Sequence, residues 1–212
     1  MTDAMPRGPY AKTAARRSEI VRAARDSFAE HGYAKASLRN IAERAGITHA
    51  GLLHHFRNKD ELLAAVLAER DNEEWEYGKS KVTSPQEVAR YLGDTLRHHQ
   101  SSPELMRLWI ELATAASRPG HPAHAYFVRR YKDGRRRFSD GMHTSAGTER
   151  LRADLKPEHA AVLLQALLNG LQLQWLLDED LDIVGPLWTF LSLIYQEPGN
   201  DSQAGPETPA GE

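Results

Sequence analysis

The 212-residue chain has no cysteine. That excludes a disulfide framework, a thiolate metal site and a cysteine nucleophile. No uninterrupted apolar run approaches the roughly 20 residues that span a bilayer, so no membrane partner is expected. The N-terminus is polar and lacks the apolar stretch of a secretory signal, which argues against export and for a cytoplasmic location. Nowhere do apolar and polar residues alternate with a period of two, so no β-sheet is expected. No cofactor is expected either. Net charge is nearly lacking too, at −2, but that value hides an asymmetry. Residues 1–60 hold eleven Lys and Arg against six Asp and Glu, whereas the remainder holds sixteen against twenty-three. A basic end on an acidic body is what a protein needs if only one end approaches a polyanion.

What is present points to the same end. Ser37 to Phe56 reads as two short helices joined by a tight turn, the helix-turn-helix that lays its second helix in the major groove of DNA. Ser37 and Thr48 stand where N-caps are needed, and Gly46 stands where the chain leaves the first helix with positive φ. Ala42 is small enough for two helices to approach closely. Ile41, Ala45, Ile47, Leu52 and Phe56 form one inward-facing set at helical spacing. The other face of the second helix presents His49, Ala50, Gly51, Leu53 and His54 to DNA. His49 is placed to read a base, and Ala50 and Gly51 allow close approach to a thymine methyl. Thr48, His54, Lys59, Ser37 and Arg39 are placed for phosphates. Arg16 and Arg17 are expected to reach the neighbouring backbone or minor groove from the first helix. A helical hairpin of no particular function is the plain alternative, and each basic residue taken singly has a solvated face as its alternative.

Residues 16–67 resemble the DNA-binding domain of the TetR family of bacterial transcriptional regulators. The runs that carry the resemblance are Ile20-Val21-Arg22-Ala23-Ala24, Phe28-Ala29-Glu30-His31-Gly32-Tyr33, Ile41 through Thr48, Leu52-Leu53-His54-His55-Phe56 and Lys59-Asp60-Glu61-Leu62. Many relatives carry tyrosine where Leu53 stands, and a hydrogen bond to phosphate is lost with it. The resemblance implies an all-α fold of about nine helices: an N-terminal three-helix helix-turn-helix domain followed by a helical ligand-binding and dimerisation domain. It also implies a homodimer on a near-palindromic double-stranded operator, a small organic effector of unknown identity, and repression as the usual outcome.

The expected divisions are a disordered arm over 1–10, the DNA-binding domain over 11–60, an effector-binding and dimerisation domain over 61–196 and a disordered tail over 197–212. Helices are expected over about 12–31, ended by Gly32, and over about 58–81. Beyond these, Pro85, Pro103, Pro122 and Pro157 each mark a first helical turn, and Asp182 to Pro186 opens a last helix ending near Gln196. The last two helices carry two apolar stripes each, where a surface helix needs one. Packing of both helices against a second copy explains this; Leu164, Leu167, Leu171, Val184, Trp188, Leu191 and Tyr195 are the candidates, with the choice of stripe left open. Candidate effector contacts are Trp75, His99, Met106, Trp109, Tyr126, Arg130, Asn169 and Trp175, for each of which a packed core side chain is the alternative. Two other functions compete: a DNA-binding regulator without an effector, and a helical enzyme or metal-binding protein using His98, His99, Glu104, Glu111, His121 or His124. The second is disfavoured because no carboxylate has helix-compatible ligand spacing near His121 and His124.

Overall fold

The computed structural model describes residues 9–77, 85–144, 150–152 and 154–196. The expected arm and tail therefore lie outside the described residues, apart from the first turn of the leading helix. Among the described residues the chain folds into nine helices: α1 (Pro9–Lys35), α2 (Leu38–Arg44), α3 (His49–His55), α4 (Lys59–Tyr77), α5 (Pro85–Gln100), α6 (Pro103–Ala115), α7 (His124–Thr144), α8 (Pro157–Leu177) and α9 (Val184–Ile194).

Proline and glycine set many of these boundaries. Pro85, Pro103 and Pro157 are the first residues of α5, α6 and α8, where a missing N–H costs nothing. Gly32, at φ 74°, breaks α1 before its last short turn. Asp182 starts α9: its Oδ1 accepts from the N–H of Val184 at 2.9 Å and of Gly185 at 3.0 Å. These bonds hold the carboxyl below its ordinary range. A depressed carboxylate stabilises the fold above its unfolded value and loses that contribution as pH falls through the folded one. Asp182→Ala is therefore expected to fray the start of α9 at neutral pH and to change little in acid, as hydrogen exchange of the Val184 and Gly185 amides would read.

Two apolar clusters organise the packing. The first runs from Ile20, Ala24 and Phe28 of α1 through Ile41, Leu52, Phe56, Leu62 and Val66 into Leu108 and Leu112 of α6 and Phe127 of α7. It does not stop at residue 60, so the N-terminal helices share a core with the body. The second gathers α5, α6, α8 and α9 around Leu96, Met106, Leu164, Leu171, Trp175 and Leu187. One departure from the all-helical expectation is a two-residue antiparallel pairing, β1 (Arg150–Leu151) with β2 (Tyr195–Gln196). Two residues are too few to show any periodicity.

α8 is long and apolar enough to cross a membrane by length and composition alone, which the absence of an uninterrupted apolar run did not anticipate. Gln165, Asn169, Gln172 and Gln174 interrupt it. Its inner face, with Ala160, Ala161, Leu164, Leu171 and Trp175, is buried in the second cluster. Its outer face carries Val162, Leu163, Leu173 and Leu177, all exposed, Leu177 by 81%.

Candidate nucleic-acid interface

The turn between α2 and α3 is built from backbone bonds. The Gly46 N–H donates to the Glu43 carbonyl and the Ile47 N–H to the Ala42 carbonyl, both at 3.0 Å, the Schellman pattern that closes a helix. Gly46 has φ 65°, and a Cβ there would meet nothing within 4 Å. Glycine is required at this position by the dihedral, not by space. Ser37 caps α2, accepting from the Arg39 N–H at 3.2 Å. Thr48 caps α3, accepting from the Gly51 N–H at 3.0 Å. A Cβ on Gly51 would lie 3.2 Å from the Thr48 hydroxyl, so Gly51 makes room for the cap. Asn58 accepts from the Glu61 N–H at 2.8 Å, and Glu61 reaches back to the Arg57 N–H at 2.8 Å. That is a capping box reaching one residue further back than expected.

Ile41, Leu52 and Phe56 are fully buried, and Ala42 is 1% exposed. Ala45 and Ile47 pack against them half-buried. The opposite face leaves His49, Ala50, Leu53 and His54 exposed and Gly51 half-buried. Leu53 is 39% exposed, a large apolar side chain among polar neighbours.

Several basic residues expected at DNA make bonds within the chain, though Arg16 and Arg17 stay exposed. Lys59 Nζ donates to the carbonyls of Tyr33, Ala34 and Ala36 at 2.8, 3.0 and 3.2 Å and lies 4.6 Å from the Tyr33 ring centre. The break at Gly32 leaves the end of α1 with carbonyls that need donors, and Lys59 supplies them. In the free chain these bonds engage its ammonium. Arg17 donates to the His55 carbonyl at 2.9 Å and its guanidinium sits 4.0 Å over the Phe56 ring, which clips α1 to the end of α3. Arg16 pairs with Glu19 at 2.6 Å. Sequence reasoning also missed Arg44, which grips Glu30 through two bonds of 2.5 and 2.7 Å and lowers the Glu30 carboxyl below its ordinary range. Arg39 and the unanticipated Arg57 are exposed on either side of α3.

Tyr33 completes this lock. Its hydroxyl donates to Asp60, and its ring meets Phe28 at 5.4 Å and His121 of the α6–α7 connection at 5.9 Å, both edge-on. Burial, then the bond to Asp60, raises its titration well above the ordinary tyrosine range. Lys59→Met should therefore lower global stability by about 1.5–3 kcal/mol, the usual loss for hydrogen bonds to a charged group, as read by urea unfolding. Unchanged stability with a uniform loss of DNA affinity would return Lys59 to the phosphates.

Among the effector candidates, Trp109 and His99 both meet Arg70. Trp75 falls among residues whose side chains lie outside the described part. Met106 and Trp175 are buried in the second cluster and Tyr126 in the first. Trp109 lies under the Arg70 guanidinium at 3.9 Å, and Arg70 is 3.5 Å from His99 Nε2. Arg130 is half-buried, and the exposed Asn169 donates to the Tyr131 hydroxyl at 3.1 Å. His121 Nδ1 accepts from the Ala123 N–H at 3.2 Å, and His124 Nδ1 is 2.8 Å from the Ala116 carbonyl, so both histidines organise the α6–α7 connection.

The dimer candidates divide as well. Leu164, Leu171 and Leu191 are 4, 6 and 4% exposed, each buried in its own protomer, so they are withdrawn from any surface. Leu167 is half-buried against the second cluster, as is Tyr195. Val184 and Trp188 lie against α5, where a Cβ on Gly93 would stand 3.6 and 3.9 Å from them. The second stripe of α9 thus meets α5 only in part: Trp188 is still 42% exposed, and open apolar surface lies on α9 as well as on α8.

Two family models match. The description "Bacterial regulatory proteins, tetR family" matches residues 20–66, and "BetI-type transcriptional repressor, C-terminal" matches residues 85–183. An HTH-type transcriptional repressor of Mycobacterium tuberculosis is 44% identical over 69 residues, which are 32% of this chain and 36% of that protein. The repressor AcnR of Corynebacterium diphtheriae is 43% identical over 54 residues, 26% of this chain and 28% of its own length. The chain thus spans about a third of the length of the curated relatives it matches. Solved structures share the fold over far more. A TetR transcription regulator from Haloarcula marismortui superposes with a TM-score of 0.74 at 20% identity, covering 86% of this chain and all of that one. SmeT, the repressor of the Stenotrophomonas maltophilia multidrug efflux pump SmeDEF, gives 0.69 at 21% identity over 90% of this chain and 97% of its own.

Proposed function

We propose that this chain, which belongs to the TetR family of bacterial transcriptional regulators and not to an enzyme family, is a homodimeric repressor released from a near-palindromic operator by a small organic effector. The observation that carries the reading is the outer face of α3: a short capped helix, fixed from beneath by Phe56 and Arg17, presents His49, Ala50, Leu53 and His54 to solvent. His49 reads a base edge, Ala50 and Leu53 meet thymine methyls, and Arg39 and Arg57 meet phosphates. The outer face of α8, through Leu163, Leu173 and Leu177, joins two copies and sets the spacing of their recognition helices.

Release needs a route from body to headpiece. The shared first cluster and the Tyr33–His121 contact join α6 and α7 to α1 and offer such a route. A solved neighbour is a SmeT–triclosan complex, which supports an apolar aromatic ligand for that protein and, by fold, for this body. The packing of Met106, Tyr126 and Trp175 into the cores favours the second reading, a regulator with no effector. Selection of bound fragments from random duplex DNA tests the operator. Two inverted half-sites are expected, and recovery of unrelated fragments would contradict the reading. Where a ligand is found, operator DNA must weaken its binding by the factor by which the ligand weakens the operator.

A further inference from the structure

α3 has little with which to hydrogen-bond a base. Between Thr48 and Phe56 there is no Arg, Lys, Asn or Gln, the side chains that most often read base edges. The Thr48 hydroxyl is engaged as a cap, and His55 is half-buried with its carbonyl taken by Arg17. The exposed imidazoles of His49 and His54 are the polar side-chain groups α3 offers.

The charges on the packed elements leave these imidazoles without a counter-ion. On α1, Arg17 is clipped to Phe56 and Glu30 is held by Arg44. On α2, Arg39 and Glu43 are exposed. At the start of α4, Lys59 is bound by carbonyls, Asp60 accepts from Tyr33 and Glu61 from the Arg57 N–H. Neither His49 nor His54 makes an ion pair among the described residues; the titratable ring that His54 does meet is that of His55, edge-on at 5.7 Å. No described carboxylate contacts either ring in the free protein, whereas a duplex would bring phosphates beside them.

We infer that operator binding is proton-linked: His49 and His54 take up protons as α3 enters the groove, so affinity rises as pH falls through the histidine range. This rests on the DNA-binding reading above. Neutral imidazole has one donor and one acceptor, and imidazolium has two donors and a charge. One N–H can meet a guanine acceptor while the other, on the far side of the ring, stays free for a phosphate or water, and the charge is favoured beside phosphate.

The test is fluorescence anisotropy of the full chain on the duplex recovered by selection, at fixed ionic strength across about pH 6 to 8, the range that brackets histidine. The unaltered protein should gain roughly tenfold to a hundredfold in affinity toward the acid end, at tenfold per unit for each net proton bound. His49→Gln and His54→Gln should each flatten the profile and the pair abolish it, the slope against pH being the readout because both positions face the DNA and either change can also lower affinity at every pH. Calorimetry in two buffers of different ionisation enthalpy counts the protons on the unaltered protein, and at least one per complex is expected. Zero uptake, or a slope the double variant retains, overturns the inference and leaves the DNA-binding reading standing. No sequence-selective binding at any pH overturns both.

Discussion

A chain carrying Leu163→Glu and Leu173→Glu is expected to sediment as a folded monomer and to bind its operator about 10²–10⁴-fold more weakly, the avidity that linkage of two half-site contacts supplies. Both positions are about half exposed, at 50 and 46%, so the substitutions leave the protomer core untouched. They lie on the side of α8 away from Leu164, Leu171 and Trp175. In a dimer the new carboxylates would be buried facing their own symmetry mates, with like charges and no partner. Leu191→Glu is the informative contrast. Leu191 is 4% exposed in the second cluster, so that variant should unfold the body and not merely separate two copies. A Leu163/Leu173 variant that stays dimeric in sedimentation would move the interface off α8.

The second large effect is expected at Phe56. Its ring is fully buried, it ends α3, and it carries the Arg17 guanidinium at 4.0 Å. Phe56→Ala should cost about 3–5 kcal/mol through lost transfer and an unfilled cavity, a large part of the roughly 5–15 kcal/mol that holds a domain folded. Because the first cluster is continuous, the loss should appear as global destabilisation in urea, with α6 and α7 amides exchanging faster together with those of α1 to α3. Phe56→Leu should cost much less, since most of the volume is kept. A loss confined to α2 and α3 would mean the two ends unfold independently.

The turn and caps around α3 were legible because they are local. Ser37, Gly46 and Thr48 do their work within three residues of themselves, and the spacing of Ile41, Leu52 and Phe56 is a helix period that only burial requires. The prolines at 85, 103 and 157 were legible for the same reason. Lys59 and Arg17 were not. Their partners are backbone carbonyls on another element, exposed by the Gly32 break or by the end of α3, and no spacing in the sequence records that proximity. A basic residue near a DNA-binding helix reads as a phosphate contact until the carbonyls are seen. The stripes of α9 misled for a related reason: periodicity says how many faces are apolar, not which neighbour covers each. Gly93 lets α5 approach Val184 and one edge of Trp188, while the broader open apolar face lies on α8.

The central claim is that α3, in two copies, reads an inverted repeat. Its most direct measurement is affinity for the selected duplex, for the same duplex with one half-site scrambled, and for an unrelated duplex, each across a range of salt. The account predicts a falling log-affinity with log-salt whose slope is near −0.9 per phosphate contact, and a loss of about 10³-fold or more on the unrelated duplex, as specific sites show. Scrambling one half should remove most of that preference. Equal affinity for all three duplexes, or a slope near zero, would contradict it.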